Sequence, residues 1–299
     1  MPALVSRVFV LARSPAVGLR VLRRRVWSVA RNPGELARLG GEDSLAAKGL
    51  ACALGASPSA ESPEEKAWTE RIESLRRELS SSPRKIRLED WGAVSPGRRG
   101  KSSGEGPVSV ERAVGEICRS SASRPRRAHL LFRLVRELKP CSCLELGTSL
   151  GLSAAYIAAA LELNGEGRLT TLEGAGEVAA IARENLSRLG LGGRADVVVG
   201  RFQDRLPEVL RGSSPLDFAF VDGHHDEAPT LAYFEALLPS LAPGACLVFD
   251  DVSWSRGMER AWRRIAADRR VGIAVDLFTM GIVLAGRPGP GRLYRIAVV

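Results

Sequence analysis

The sequence predicts an α/β protein built on an open, mostly parallel β-sheet. From Cys141 onward, the short apolar runs CSCLELG, RLTTLEG, ADVVVG, LDFAFVDG and ACLVFDD each end in glycine or an acid, as buried parallel strands do. Amphipathic helical periods lie between them, which is βαβ repetition. The chain closes with VGIAVDLF, a tight Thr279-Met280-Gly281 region and GIVLAG, the pattern of a hairpin that adds an antiparallel strand.

Taken in order, the chain opens on a basic stretch. Before Glu35 there is no Asp or Glu, while Arg7, Arg13, Arg20, Arg23, Arg24, Arg25 and Arg31 all fall there. That composition fits an organelle transit peptide and a basic surface helix equally. Residues 1–61 are therefore read as a basic N-terminal segment, partly disordered or targeting. Ser62-Pro63-Glu64-Glu65 marks a helix start, with Ser as N-cap, Pro at the first helical position and Glu65 completing a capping box, and the helix is expected to run to about Leu79. An extended piece follows at Lys85–Trp91. The cluster Arg98-Arg-Gly-Lys101 then sits in the Pro/Gly/Ser-rich run Ser95 to Pro107, which reads as a solvated loop. Two further helical patterns cover Ser109–Ser120 and Arg124–Leu138. In the second, Leu130, Leu131, Leu134, Val135 and Leu138 share one face, so it docks on a core. Residues 62–124 form a helical extension and 125–299 the principal domain on this reading.

Composition bounds the function. With 299 residues, 45% of them hydrophobic, the chain can bury a full core. No apolar run reaches the roughly 18 to 20 residues that a membrane span requires. The five cysteines are odd in number and lack C-x-x-C spacing, which favours buried thiols in a reducing, cytoplasmic compartment over disulfides or zinc. A net charge of +9 raises a nucleic-acid partner, but much of that charge lies in the N-terminal segment, so the partner is not favoured.

In LELGTSLGLS, Gly147, Ser149 and Gly151 have the spacing G-x-S-x-G. A nucleophilic serine and a cofactor-cradling turn both need a strand, a tight turn and a helix here. The hydrolase reading requires a later acid and then a histidine, with an oxyanion loop from an earlier strand. Upstream of Ser149 the chain reads as helix and loop. After it, His224 and His225 stand at the end of the third following strand, and a triad through Asp204 or Asp217 ignores the expected sheet order. The cofactor reading is met in more places. Glu145 lies two residues before Gly147, and Glu173 ends the next strand, where an acid accepts hydrogen bonds from ribose hydroxyls. An acid at the first turn disfavours a pyrophosphate. S-adenosylmethionine carries a sulfonium and no phosphate, so it suits an acidic turn. Ligands of such sheets bind at the carboxyl ends of strands, which singles out Glu145, Glu173, Gln203, Asp222 and Asp250.

From about Ser62 to Val283 the chain resembles the class I S-adenosylmethionine-dependent methyltransferases, within a bacterial-type branch related to the catechol O-methyltransferase-like group. The residues that carry the likeness are LLFRLVRELKPCSCLELGTSLGLSAAY, LTTLEGAGEVAAIARENL, VVVGRFQDRLPEVL, FAFVDGHHDEAPTLAYFEALLP and FDDVSWSRGMERAW. The resemblance implies a Rossmann-like, seven-stranded sheet with an antiparallel last strand. It implies that Gly147, Thr148, Ser149 and Gly151 line the methionine and ribose portion, that Glu173 with Gly174 holds the ribose, and that Phe202 and Gln203 border adenine. Relatives more often have an acid at Gln203. It further implies that Asp222, Asp250 and Asp251 hold Mg²⁺ or another divalent cation, with Asp222 also facing the methionine end of the cofactor. The alternative is that Asp222 only faces the methionine end of the cofactor and that Asp250 and Asp251 cap the next helix with Ser253. Asp222 and His225 are the catalytic candidates. His225 stands where such relatives place a lysine base, and an imidazole can accept a hydroxyl proton at neutral pH; the alternative is a histidine that orients the substrate. Arg87-Leu-Glu-Asp-Trp-Gly-Ala-Val-Ser95 resembles a D-[YF]-G-A-G-S motif of that branch but departs from it at Trp91 and Val94.

The function expected is methyl transfer to a hydroxyl of a small-molecule acceptor. The pattern N/D-P-P-Y, used for amino groups of bases, is replaced here by VDGHHDE. RNA or protein methylation, and a cofactor-binding module whose N-terminal helices contact a partner without turnover, are the alternatives. A homodimer is the candidate assembly.

Overall fold

The computed structural model describes residues 32–55, 61–90, 108–212, 215–285 and 291–297. The arginine-rich stretch up to Arg31, Trp91 and the Arg98–Lys101 cluster lie outside the described residues. The chain divides into two units, residues 1–55 with 214–299, and residues 56–213.

The first unit begins with helices α1 (Asn32–Gly40) and α2 (Leu45–Gly55). Both lie in the segment expected to be targeting or partly disordered, yet they are tied to the C-terminal end of the chain. Asn32 donates through Nδ2 to the Ala297 carbonyl and accepts from the Ala297 N–H at 2.8 Å. Glu42 accepts from the Tyr294 hydroxyl and pairs with Arg292, and the Arg38 guanidinium lies 5.4 Å from the Tyr294 ring centroid.

In the second unit, α3 (Pro63–Ser81) starts as its sequence predicts. Glu65 N–H donates to the Ser62 hydroxyl, and Ser62 N–H donates back to the Glu65 carboxylate. Strand β1 (Lys85–Asp90) pairs antiparallel with β2 (Val108–Ala113), and α4 (Val114–Ser121) and α5 (Pro125–Leu138) follow. The helix expected over Ser109–Ser120 is therefore half strand. Its first residues satisfy the β1 edge, and alternation wins over helical period until Val114. Next come β3 (Ser142–Leu146), α6 (Leu152–Asn164), β4 (Arg168–Glu173), α7 (Gly176–Arg188), β5 (Ala195–Val199) and α8 (Phe202–Gly212). The three strands are parallel, in the order β3-β4-β5, with Glu145 opposite Thr171 and Glu173 opposite Val199. Helix α6 is alanine-rich and buried around almost its whole circumference, because small side chains let neighbours approach on every side.

The first unit resumes with β6 (Leu216–Val221), α9 (Glu227–Leu237), β7 (Leu241–Asp250), α10 (Arg256–Ala266), β8 (Val271–Asp276), β9 (Met280–Ala285) and β10 (Arg292–Arg295). Within it the order is β10-β8-β9-β7-β6. Strand β9 runs antiparallel to both β7 and β8, so the expected hairpin is present. The short β10 follows it and pairs parallel with β8, a strand outside the seven expected. Trp262 packs in the core, and any side-chain carbon at Gly281 would fall inside its ring. Cys118, Cys143 and Cys246 are buried free thiols, whereas Cys52 and Cys141 are exposed, against the expectation of general burial.

Candidate functional site

In the second unit a turn joins β3 to α6. Leaving the strand, the chain needs left-handed backbone at Gly147 (φ 108°), Ser149 (φ 47°) and Gly151 (φ 81°). The N–H groups of Gly147 and Thr148 both donate to the Leu172 carbonyl, at 3.0 and 3.1 Å, which fastens the turn to the end of β4. Gly151 is required on a second ground: a Cβ there would sit 3.2 Å from that of Ala182 on α7.

Two carboxylates stand beneath this turn. Glu173 accepts from the Ser149 N–H at 2.8 Å and from the Ala175 N–H at 3.0 Å. Burial raises its pKa, and the backbone N–H groups of Ala175, Ser149 and Gly174 oppose that rise. Glu145 is fully enclosed, with Thr171 Oγ1 donating to it at 2.5 Å and the Thr148 hydroxyl 2.6 Å from that of Thr171. Burial pushes its pKa up to about 7, the charge of Glu173 adds to the rise, and the hydroxyls of Ser153 and Thr171 offset only part of it. A carboxyl so enclosed organises the turn from within.

The Ser149 hydroxyl is enclosed and has no hydrogen-bond partner. A triad serine bonds its base, so the nucleophile reading fails on geometry. The same orphaned hydroxyl, the tethered Glu173 carboxylate and the glycine clearance fit a polar, phosphate-free ligand such as an adenosyl sulfonium. Phe202 opens α8 as a buried ring, while Gln203 beside it is exposed.

In the first unit, predicted site residues lie on the loops after β6 and β7. His225 lies between two acids, its Nε2 3.9 Å from Asp222 Oδ1 and its Nδ1 3.9 Å from Asp251 Oδ2. The Trp254 ring centroid is 6.0 Å from the imidazole. The six described non-glycine residues with positive φ include Ser149, His224, His225 and Asp251, so the strained backbone gathers at predicted site residues and one neighbour.

The three acids expected to share a divalent cation do not form a ligand set. Asp250 is buried and turns back to accept from the Asp251 N–H at 2.8 Å, and the imidazole occupies the space between Asp222 and Asp251. Among the described residues no group of three or more His, Cys, Asp or Glu side chains is arranged to hold a metal. The helix cap is also not Ser253: Ser255 accepts from the Met258 N–H at 3.1 Å.

Sequence reasoning passed over several contributors. Thr171 is a hydroxyl in an apolar strand, opposite Glu145 in register, and that oddity is a readable signal. Asn185, buried on α7, donates to the Leu150 carbonyl at 2.9 Å and closes the glycine turn from the outside. Tyr233 on α9 bonds His224, and nothing in its sequence context announces that contact.

A family profile described as "Methyltransferase domain" matches residues 144–252, from the end of β3 to just past Asp251. Over 129 residues the chain is 36% identical to a catechol O-methyltransferase of Niastella koreensis, an alignment covering 43% of this chain and 57% of that protein. Over 131 residues it is 34% identical to the catechol O-methyltransferase of Sus scrofa, covering 42% of this chain and 68% of that one. The chain thus spans little more than half the length of the Niastella relative. The fold is similar to that of the cofactor-bound crystal structure of Rv0187 from MTB, with a TM-score of 0.50 at 20% identity, covering 77% of this chain and 93% of that chain.

Proposed function

The chain belongs to the methyltransferases related to catechol O-methyltransferase, and on that premise we propose that it moves a methyl group from S-adenosylmethionine to a hydroxyl oxygen of a small molecule. The observation that carries the reading is the imidazole of His225 between the carboxylates of Asp222 and Asp251, a base flanked by two anions.

When bound, S-adenosylmethionine supplies an electrophilic methyl on a sulfonium. His225 takes the proton of the acceptor hydroxyl as the oxygen–carbon bond forms and the carbon–sulfur bond breaks, and S-adenosylhomocysteine leaves with the sulfur electron pair. Asp222 and Asp251 stabilise the imidazolium that results. Glu173 fixes the ribose through its outward lone pairs while its backbone partners keep it in one rotamer. Ser149 offers its unpartnered hydroxyl to the same ligand.

The test is transfer of labelled methyl from S-adenosylmethionine by the full chain across phenols and catechols, primary amines and RNA. The reading expects label on the oxygen of a phenol or catechol. Label confined to amines, to RNA or to a co-purifying protein would overturn it, as would cofactor binding with no transfer to any acceptor class.

A further inference from the structure

We infer that Tyr233 is a positioning residue, whose hydroxyl grips His224 and thereby holds the two-histidine turn that sets the His225 imidazole between Asp222 and Asp251. The catalytic consequence rests on the reading of His225 as base; the structural claim stands apart from it.

The turn needs to be held. His224 (φ 60°) and His225 (φ 26°) are consecutive non-glycine residues in left-handed backbone, a conformation costing roughly 1–2 kcal/mol per residue for a side chain with a Cβ. The His225 ring does not pin itself. At 3.9 Å each carboxylate stands beyond hydrogen-bond reach, so the backbone beneath decides where the ring sits.

The grip comes from α9. The Tyr233 oxygen is 2.7 Å from His224 Nδ1, and the two ring centroids are 5.9 Å apart at 46°. Tyr233 is 3% exposed, so its phenol is fixed by packing. The start of α9 is itself braced. Thr230 donates to the Asp226 carbonyl at 2.7 Å, and the Thr230 hydroxyl lies 3.3 Å from Met258 Sδ on α10. The helix is an anvil, and the phenol fastens His224 to it.

The chain has three histidines, so long-range proton–nitrogen spectra of the full protein give three separable imidazoles. In Tyr233→Phe, His224 should pass from one fixed tautomer to a mixture, and the His225 signals should shift as the turn loosens. Turnover on a catechol should fall about tenfold or more in kcat, with KM for S-adenosylmethionine within about twofold, as expected when a base is misplaced but binding is not. His224→Asn should retain most activity, because its amide oxygen can stand where Nδ1 does and Asn tolerates left-handed backbone. His224→Leu should behave like Tyr233→Phe. If Tyr233→Phe leaves the His225 signals and kcat unchanged while His225→Ala is inactive, the positioning role is wrong and the base survives. If His225→Ala keeps full turnover, the base reading fails, and the spectra alone decide: unmoved His225 signals in Tyr233→Phe overturn the inference, moved ones sustain it.

Discussion

Glu173 ends one strand and Asp251 follows another, yet the surroundings of these two acids differ in kind. Glu173 is clamped by the backbone N–H groups of Ser149 and Ala175. Asp251 sits in left-handed backbone (φ 52°) and faces a histidine nitrogen at 3.9 Å. The first arrangement gives a carboxylate one orientation, which suits holding a ligand. The second sets a carboxylate against a group that gains and loses a proton, which suits chemistry. A strand-end acid is therefore assigned by what its oxygens meet.

The largest expected effect concerns the enclosed acid behind the glycine turn. Glu145 is held up near 7 in the fold, against 4.5 for the unperturbed group. The folded state binds this proton more tightly, so its stabilisation is complete below about pH 4.5 and is lost as pH rises through 7, on the order of 3 kcal/mol. Glu145→Gln should flatten the stability profile across that window in denaturant titrations at several pH values. An unchanged slope would show that Glu145 is not the buried titrating group. Next in size, Glu173→Ala should weaken S-adenosylmethionine binding by about 100-fold in calorimetry, roughly 2.7 kcal/mol, whereas Asp251→Ala should leave it within about threefold. Equal losses in the two variants would erase the distinction between the acids.

A smaller effect separates space from backbone strain. Gly151 and Gly190 share nearly the same φ, 81° and 78°, but only Gly151 has a neighbour where a Cβ would go. Gly190→Ala should cost about 1 kcal/mol of stability and Gly151→Ala about 2 kcal/mol or more, read from chemical unfolding. Equal costs would mean that the contact with Ala182 relaxes freely. The smallest change is Ser149→Ala, expected to weaken cofactor binding about three- to tenfold, the worth of one hydrogen bond to a ligand. It should leave the enzyme unreactive toward a fluorophosphonate, like the parent.

Strand positions were readable because burial on both faces leaves continuous apolar runs, and the start of α3 because Ser62 and Glu65 announce a capping box. The boundary at Ala113 was not, since VSVERA passes into VGEICRS without a turn residue between strand and helix. Strand β10 was missed because RLYR is short and half charged, as an edge strand can be. For the site, residue types and spacing single out Glu173, His225 and the aspartates as candidates. They could not tell where those side chains point. A left-handed residue at Asp251 and an imidazole lying between two carboxylates are tertiary facts that no residue type announces.

Central to this account is that binding and chemistry belong to different residues, and single-turnover methyl transfer by His225→Ala, with cofactor affinity measured on the same sample, tests it most directly. The expected result is an unchanged dissociation constant for S-adenosylmethionine with transfer to a catechol slowed by about 100-fold or more. Full transfer by His225→Ala, or a loss of rate matched by an equal loss of cofactor affinity, would contradict it.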